Sequence, residues 1–141
     1  MAMESLRGLE EVAEIAREEL ARKHASREEG LSVSRHITRL SANAIRAVHR
    51  RDFDGAKQLL YEAANRLADT VPILQNNPEI YFAGYMSDSR KEFAEASITL
   101  ALIAGTPMPH PNELGVEAAP YLNGMGEVIG ELRRFILDSL R

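Results

Sequence analysis

Three acidic residues could together hold a metal ion. Glu92 and Glu95 stand three residues apart inside a long helical pattern, and Glu127 recurs in the last helical segment. Residues three apart are neighbours on a helix, with Cβ atoms about 5–6 Å apart, so both carboxylates can approach one hard cation such as Mg²⁺ or Mn²⁺. A carboxylate from a second helix would complete the site. The alternative is a solvated helix face, on which Lys91 forms a surface pair with Glu95.

Four arginines form a second pattern, which could bind phosphate. Arg35, Arg39, Arg46 and Arg50 fall within an arc of about 60° on a helical wheel, opposite the apolar positions. No acidic residue interrupts residues 31–51. Guanidinium groups spread over several turns suit a phosphate backbone better than one small anion. An ordinary charged surface is the alternative, although such surfaces normally mix both signs of charge.

The composition excludes several other chemistries. The sequence has 141 residues, a formal net charge of -4 and no cysteine, which rules out thiol nucleophiles, disulfides and zinc-thiolate sites. No nucleophile motif, phosphate loop or His-rich cluster appears. Any catalysis should therefore depend on carboxylates and a metal, which favours hydrolysis of phosphate esters or anhydrides. The N-terminus lacks a signal-peptide core and no apolar run approaches about 20 residues, so we expect a cytoplasmic protein without a membrane span.

The helices that must position these residues can be read from the spacing of apolar residues. No segment alternates as a strand would, so we predict one all-α domain over residues 1–141, a bundle of about five long antiparallel helices. The predicted helices cover residues 4–29, 32–50, 52–74, 78–105 and 118–140. The first begins at Glu4 and could continue through Gly30 into the second. Asp52 or Asp54 is expected to cap the third.

The last predicted helix carries an apolar stripe at near-heptad spacing. Its members are Leu122, Met125, Ile129, Leu132, Ile136 and Leu140. Such a stripe requires burial against a partner helix and predicts at least a dimer in solution. Glu127 and Glu131 project from the opposite side, where Glu131 can pair with a neighbouring arginine. Gly126 and Gly130 predict a notch that lets another helix or a ligand approach closely.

Three stretches together resemble the translin superfamily, and within it the branch of translin-associated factor X. The sequence SRHIT at residues 34–38 lies in the basic helix, KEFAEA at residues 91–96 contains the acid pair, and YLNGMGEVIGELRR spans residues 121–134. Each stretch is similar to a family element, and their order and separation are similar as well. The resemblance covers the chain from residue 31 to its C-terminus.

The resemblance implies a metal-dependent endoribonuclease that acts on single-stranded RNA. It also implies a closed homo-oligomer, from a dimer up to an octamer, that encloses the RNA. By position, Glu92 and Glu95 would be metal-binding catalytic carboxylates, and Glu127 stands where the family has aspartate. Asp88, one turn before Glu92, is the reserve ligand, and the arginine stripe would bind the flanking phosphates. The family continues with further helices after the third stretch, whereas this sequence stops at Arg141.

Two other functions stay open. One is a translin-like assembly that binds nucleic acid without cleaving it, because Glu127 cannot replace aspartate and the acids merely line a cavity. The other is an all-α nucleoside triphosphate pyrophosphohydrolase, since those enzymes also hold Mg²⁺ with paired glutamates three residues apart on bundle helices. The pyrophosphohydrolase alternative does not explain the stripe of four arginines.

Overall fold

The computed structural model describes residues 6–141, and these residues form helices and connecting turns without a strand. The predicted all-α class is confirmed. The seven helices of this range, numbered in chain order, are α1 Arg7–His49, α2 Phe53–Ala68, α3 Val71–Asn76, α4 Pro78–Tyr81, α5 Gly84–Ala104, α6 Pro111–Leu114 and α7 Ala118–Ser139. The predicted start of the first helix at Glu4 lies outside the described residues. In the described range, no helix is long and apolar enough to cross a membrane.

Gly30 does not end the first helix, and the two predicted N-terminal helices are one 43-residue helix, α1. A Cβ at Gly30 would lie 3.2 Å from a side-chain carbon of Ile80 and 3.6 Å from the sulfur of Met86. Glycine therefore lets α4 and the first turn of α5 pack tightly on α1. Before this contact, residues 8–25 of α1 are exposed.

The core lies between the second half of α1, α2 and α5, and α7 packs against α5. From α1 it includes Ile37, Ala44 and Val48, all fully buried. Ala56 of α2 and Ala94 of α5 are also fully buried. Side chains this small let neighbouring helix axes approach closely, which fixes α5 against both α1 and α2. The apolar positions predicted to face inward on α1 do so.

The ends of the helices follow local signals in the sequence. Asp52, rather than Asp54, caps α2, because its carboxylate accepts a hydrogen bond of 2.9 Å from the amide of Gly55. Gly105 ends α5 in the left-handed region at φ 71°, a conformation that glycine adopts without strain. The predicted third helix breaks after Ala68, and α3 begins again with Pro72 in its first turn. The predicted fourth helix also breaks, at Phe82 and Ala83, so that Pro78 opens only α4.

Most of the apolar stripe of α7 is turned away from the core, and Leu132 is its one half-buried member, which packs against the core. The buried residues of α7 are Pro120, Tyr121, Gly124 and Val128. The stripe residues Ile129 and Ile136 are exposed at 72% and 59%. The stripe is therefore largely uncovered by the described part of the chain, and the side opposite to it, which carries Glu127 and Glu131, is turned towards α5.

Candidate metal centre and arginine surface

Helices α5 and α7 come into close contact at Gly124. A Cβ on this residue would lie 2.6 Å from the carbonyl oxygen of Lys91 and 3.0 Å from the amide nitrogen of Glu95. Any other side chain would force the two backbones apart. Nothing in the described chain comes within 4 Å of a Cβ built at Gly126 or Gly130. No helix of the described chain occupies the notch predicted at those two glycines, because they lie on the outer side of α7 while Gly124 faces α5.

The close contact brings the three predicted acidic residues together. One carboxylate oxygen each from Glu92, Glu95 and Glu127 lies within 4.8 Å of the other two. Glu95 is 6% exposed, whereas Glu92 is half-buried and Glu127 is open to solvent. Oxygen ligands at this separation fit a hard divalent cation, and the partly open side leaves room for water and substrate. The residues present therefore fit Mg²⁺ or Mn²⁺.

Burial and neighbouring charge raise the pKa of Glu95 to about 8. The largest cause is the loss of water around the carboxylate, followed by its hydrogen bond with Glu127 and by the negative charges of Glu92, Glu127 and Glu131. The pKa of Glu127 is lowered, chiefly because Lys91 donates a hydrogen bond to its carboxylate. In the metal-free protein at neutral pH, Glu95 thus carries a proton. A metal cation that binds to Glu95 would have to displace this proton.

Lys91 takes part in the cluster. Its Nζ lies 2.9 Å from Glu127 and 3.3 Å from Glu92. The hydrogen bond to Glu127 is the main reason why the pKa of Lys91 is raised, so the side chain stays charged. The surface pair with Glu95 that the sequence left open is not formed.

Glu131 and His49 extend the site beyond the three predicted residues. His49 Nε2 pairs with the carboxylate of Glu131, which is half-buried one turn after Glu127. The predicted pairing of Glu131 with a neighbouring arginine is therefore replaced by a contact with α1. Glu131 could have been placed near the cluster by its spacing of four residues from Glu127, which puts both on one face. The spacing of residues could not place His49 beside Glu131, because the two lie 82 residues apart in the chain.

Asp88, the reserve ligand, lies outside the carboxylate cluster. It is exposed and lines a groove of about 430 Å³ between α1 and α5, together with Tyr85 and three of the four stripe arginines, Arg35, Arg39 and Arg46. Although it lies only one turn before Glu92, its side chain lines the groove against α1. Asp88 therefore lies beside the arginine stripe and not in the carboxylate cluster.

The predicted arginine stripe is exposed along its whole length on α1. Among the described residues, none of Arg35, Arg39, Arg46 and Arg50 has a carboxylate within ion-pair distance. Arg39 donates a hydrogen bond of 2.8 Å to Nδ1 of His36, whose Nε2 donates one of 3.0 Å to Glu62. Arg46 donates one of 2.6 Å to Asn43. These contacts orient the guanidinium groups of Arg39 and Arg46 and leave their charge without a carboxylate partner.

Comparison with known proteins identifies the family. No family model matches the sequence. An uncharacterized protein of Methanocaldococcus jannaschii is 36% identical over 124 residues, which are 86% of this chain and 54% of that protein. The crystal structure of AfC3PO has 33% identity and a TM-score of 0.80, and the apo structure of NeC3PO has 25% identity and a TM-score of 0.81. Both superpose on 91% of this chain. The chain belongs to the translin superfamily.

This translin-superfamily chain is shorter than the relatives it matches. It spans about half of the M. jannaschii protein, 66% of AfC3PO and 68% of NeC3PO. AfC3PO has also been crystallised with duplex RNA, in a structure with 34% identity and a TM-score of 0.80 to this chain.

Proposed function

We propose that this protein is a metal-dependent endoribonuclease that acts on single-stranded RNA. The observation that carries the proposal is the convergence of Glu92, Glu95 and Glu127, with one oxygen of each within 4.8 Å of the others. The cluster lies where two helices touch through a glycine, so its geometry is built into the backbone. The likeness to C3PO proteins, one of which was crystallised with RNA, supports RNA as the ligand.

Glu92, Glu95 and Glu127 would hold Mg²⁺ or Mn²⁺, the cations that oxygen ligands select. Such a cation, when bound, polarises the scissile phosphate and lowers the pKa of an attacking water. Glu95 supplies a ligand from the buried side of the site, while Glu92 and Glu127 leave the solvent side open. Glu127 is one methylene longer than the aspartate of the family, and its contact with Lys91 holds that longer side chain in place.

Arg35, Arg39, Arg46 and Arg50 would bind the RNA phosphates on either side of the cleavage site. They are exposed and free of carboxylate partners among the described residues. The stripe carries no aromatic residue, so the helix offers charge rather than stacking to the RNA. The chain would form a homo-oligomer, either a dimer or a larger assembly such as an octamer, through the apolar stripe of α7. This assembly would enclose the RNA.

The test is cleavage of end-labelled single-stranded RNA with Mn²⁺ and with EDTA. Glu92→Gln and Glu95→Gln should each abolish cleavage while RNA binding and helical content are retained, because an amide is a poor substitute for an anionic ligand. Glu79→Gln, an exposed carboxylate of α4 outside both the cluster and the arginine stripe, is the control and should still cleave. Cleavage by either glutamine variant would contradict the site. Binding without cleavage by the wild type would favour the non-catalytic alternative, and pyrophosphate release from free nucleotides would favour the pyrophosphohydrolase.

A further inference from the structure

Lys91 lies inside the carboxylate cluster and contacts the acids that would hold the cation. Its Nζ lies 2.9 Å from Glu127 and 3.3 Å from Glu92, and its side chain is 20% exposed. We propose that Lys91 is an internal counter-ion, which stabilises the carboxylates in the metal-free protein and competes with the metal for them. This inference rests on the proposed metal site, and it makes Lys91 the residue that sets the metal affinity.

The charge of the cluster explains why a counter-ion is needed. Three carboxylates with oxygens within 4.8 Å of each other repel one another when no cation is present. The ammonium group of Lys91 forms ion pairs with Glu92 and Glu127 and offsets their charges. The contact between α5 and α7 can therefore persist without a metal. No other lysine or arginine of the described chain forms an ion pair with these three acids.

Lys91 cannot keep these contacts once a divalent cation binds to the same carboxylates. An ammonium group and a divalent cation sharing two carboxylates would repel each other strongly at such short range. The backbone of Lys91 is fixed, because its carbonyl oxygen packs against Gly124. Its flexible four-carbon stem can nevertheless swing the ammonium group outwards. Metal binding must therefore displace this side chain, and the displacement reduces the observed affinity.

The test is a calorimetric titration of the whole chain with MnCl₂ in the absence of RNA. Lys91→Met keeps much of the stem and removes the charge, so it should bind Mn²⁺ about ten-fold more tightly than the wild type. Lys91→Arg retains the charge and should stay close to the wild type. Lys57→Met removes an exposed lysine of α2 and should leave the affinity unchanged. Equal or weaker binding by Lys91→Met would overturn the inference.

Thermal unfolding provides a second readout that needs no RNA and no activity. In EDTA, Lys91→Met should unfold at a lower temperature than the wild type, because the acids lose their counter-ion. Saturating Mn²⁺ should remove that difference, since the metal then replaces the ammonium group. Equal stability in EDTA would contradict the inference. If neither protein binds Mn²⁺, both the proposed metal site and the role of Lys91 are contradicted. If both proteins bind Mn²⁺ equally, only the role of Lys91 is contradicted.

Discussion

The α-carbon of Gly124 lies so close to the carbonyl oxygen of Lys91 that a Cβ on Gly124 would be only 2.6 Å from it. This contact fixes the distance between α5 and α7. It also fixes the position of Glu127, which follows Gly124 by one turn and meets Glu92 and Glu95 across the helix interface. The carboxylate cluster therefore depends on a residue that has no side chain.

Gly124→Ala should disturb both stability and metal binding. The new methyl group would meet backbone atoms, which cannot rotate away, so we expect a loss of about 1–3 kcal/mol in the free energy of unfolding. Urea unfolding measures this loss, and Mn²⁺ titration should show weaker binding. Gly126→Ala is the matched control on the same helix. Its Cβ meets nothing within 4 Å, so it should stabilise the protein by about 0.5–1 kcal/mol. Equal stability of the two variants would contradict the close contact.

Local features of the sequence were enough to predict much of this fold. Helical periodicity predicted the buried face of α1, and the spacing of three residues placed Glu92 and Glu95 side by side. Asp52 and Gly105 marked helix ends through their capping properties. Each of these features depends on residues within one or two turns of each other, which is the range over which sequence spacing fixes geometry.

Features that depend on how helices pack could not be predicted in the same way. Gly124, Gly126 and Gly130 look alike in the sequence, and only the rotation of α7 about its axis decides which of them faces α5. The contacts of Lys91 with Glu127 and of His49 with Glu131 also join different helices. Gly30 was ambiguous for a related reason, because its role is to accommodate Ile80 and Met86 from other helices.

The pKa of Glu95 predicts how the stability of the metal-free protein depends on pH. Because the folded pKa of about 8 lies above the ordinary value of 4.5, the folded state binds more protons than the unfolded state between these values. The contribution of Glu95 to the free energy of unfolding is therefore fully present below pH 4.5 and is lost as the pH rises through 8. Thermal unfolding at pH 5 and pH 8 in EDTA should show this trend. Glu95→Gln should reduce it, and the exposed Glu79→Gln should not.

The same proton makes metal binding depend on pH. Mn²⁺ must displace the proton of Glu95, so the affinity should rise with pH up to about 8 and level off above it. Calorimetric titrations in buffers of different ionisation enthalpy should show proton release at pH 7. Proton uptake, or an affinity that is constant between pH 6 and pH 8, would contradict the protonation of Glu95.

The arginine stripe predicts the salt dependence of RNA binding. Replacing Arg39 and Arg46 together by alanine should weaken binding and reduce the slope of log K against log salt by roughly 1.4, at about 0.7 per lost single-strand phosphate contact. Both residues are exposed, so the free energy of unfolding should barely change. The control replaces the exposed Lys23 and Lys57, which carry the same charge elsewhere on the surface. A slope that falls equally in both double variants would mean that the stripe has no special role.

The uncovered stripe of α7 predicts self-association. Ile129 is 72% exposed in the single chain and lies between Met125 and Ile136, so a partner helix that covers them would bury a continuous apolar surface. We expect light scattering to show a dimer or a larger assembly. Ile129→Glu should lower the measured mass while leaving the helical content unchanged, because the new charge is buried only in the assembly. Tyr61→Glu is the control, since Tyr61 of α2 is also 72% exposed. A wild-type protein that is monomeric at every concentration would contradict this interface, and a mass reduced equally by both substitutions would place the contact elsewhere.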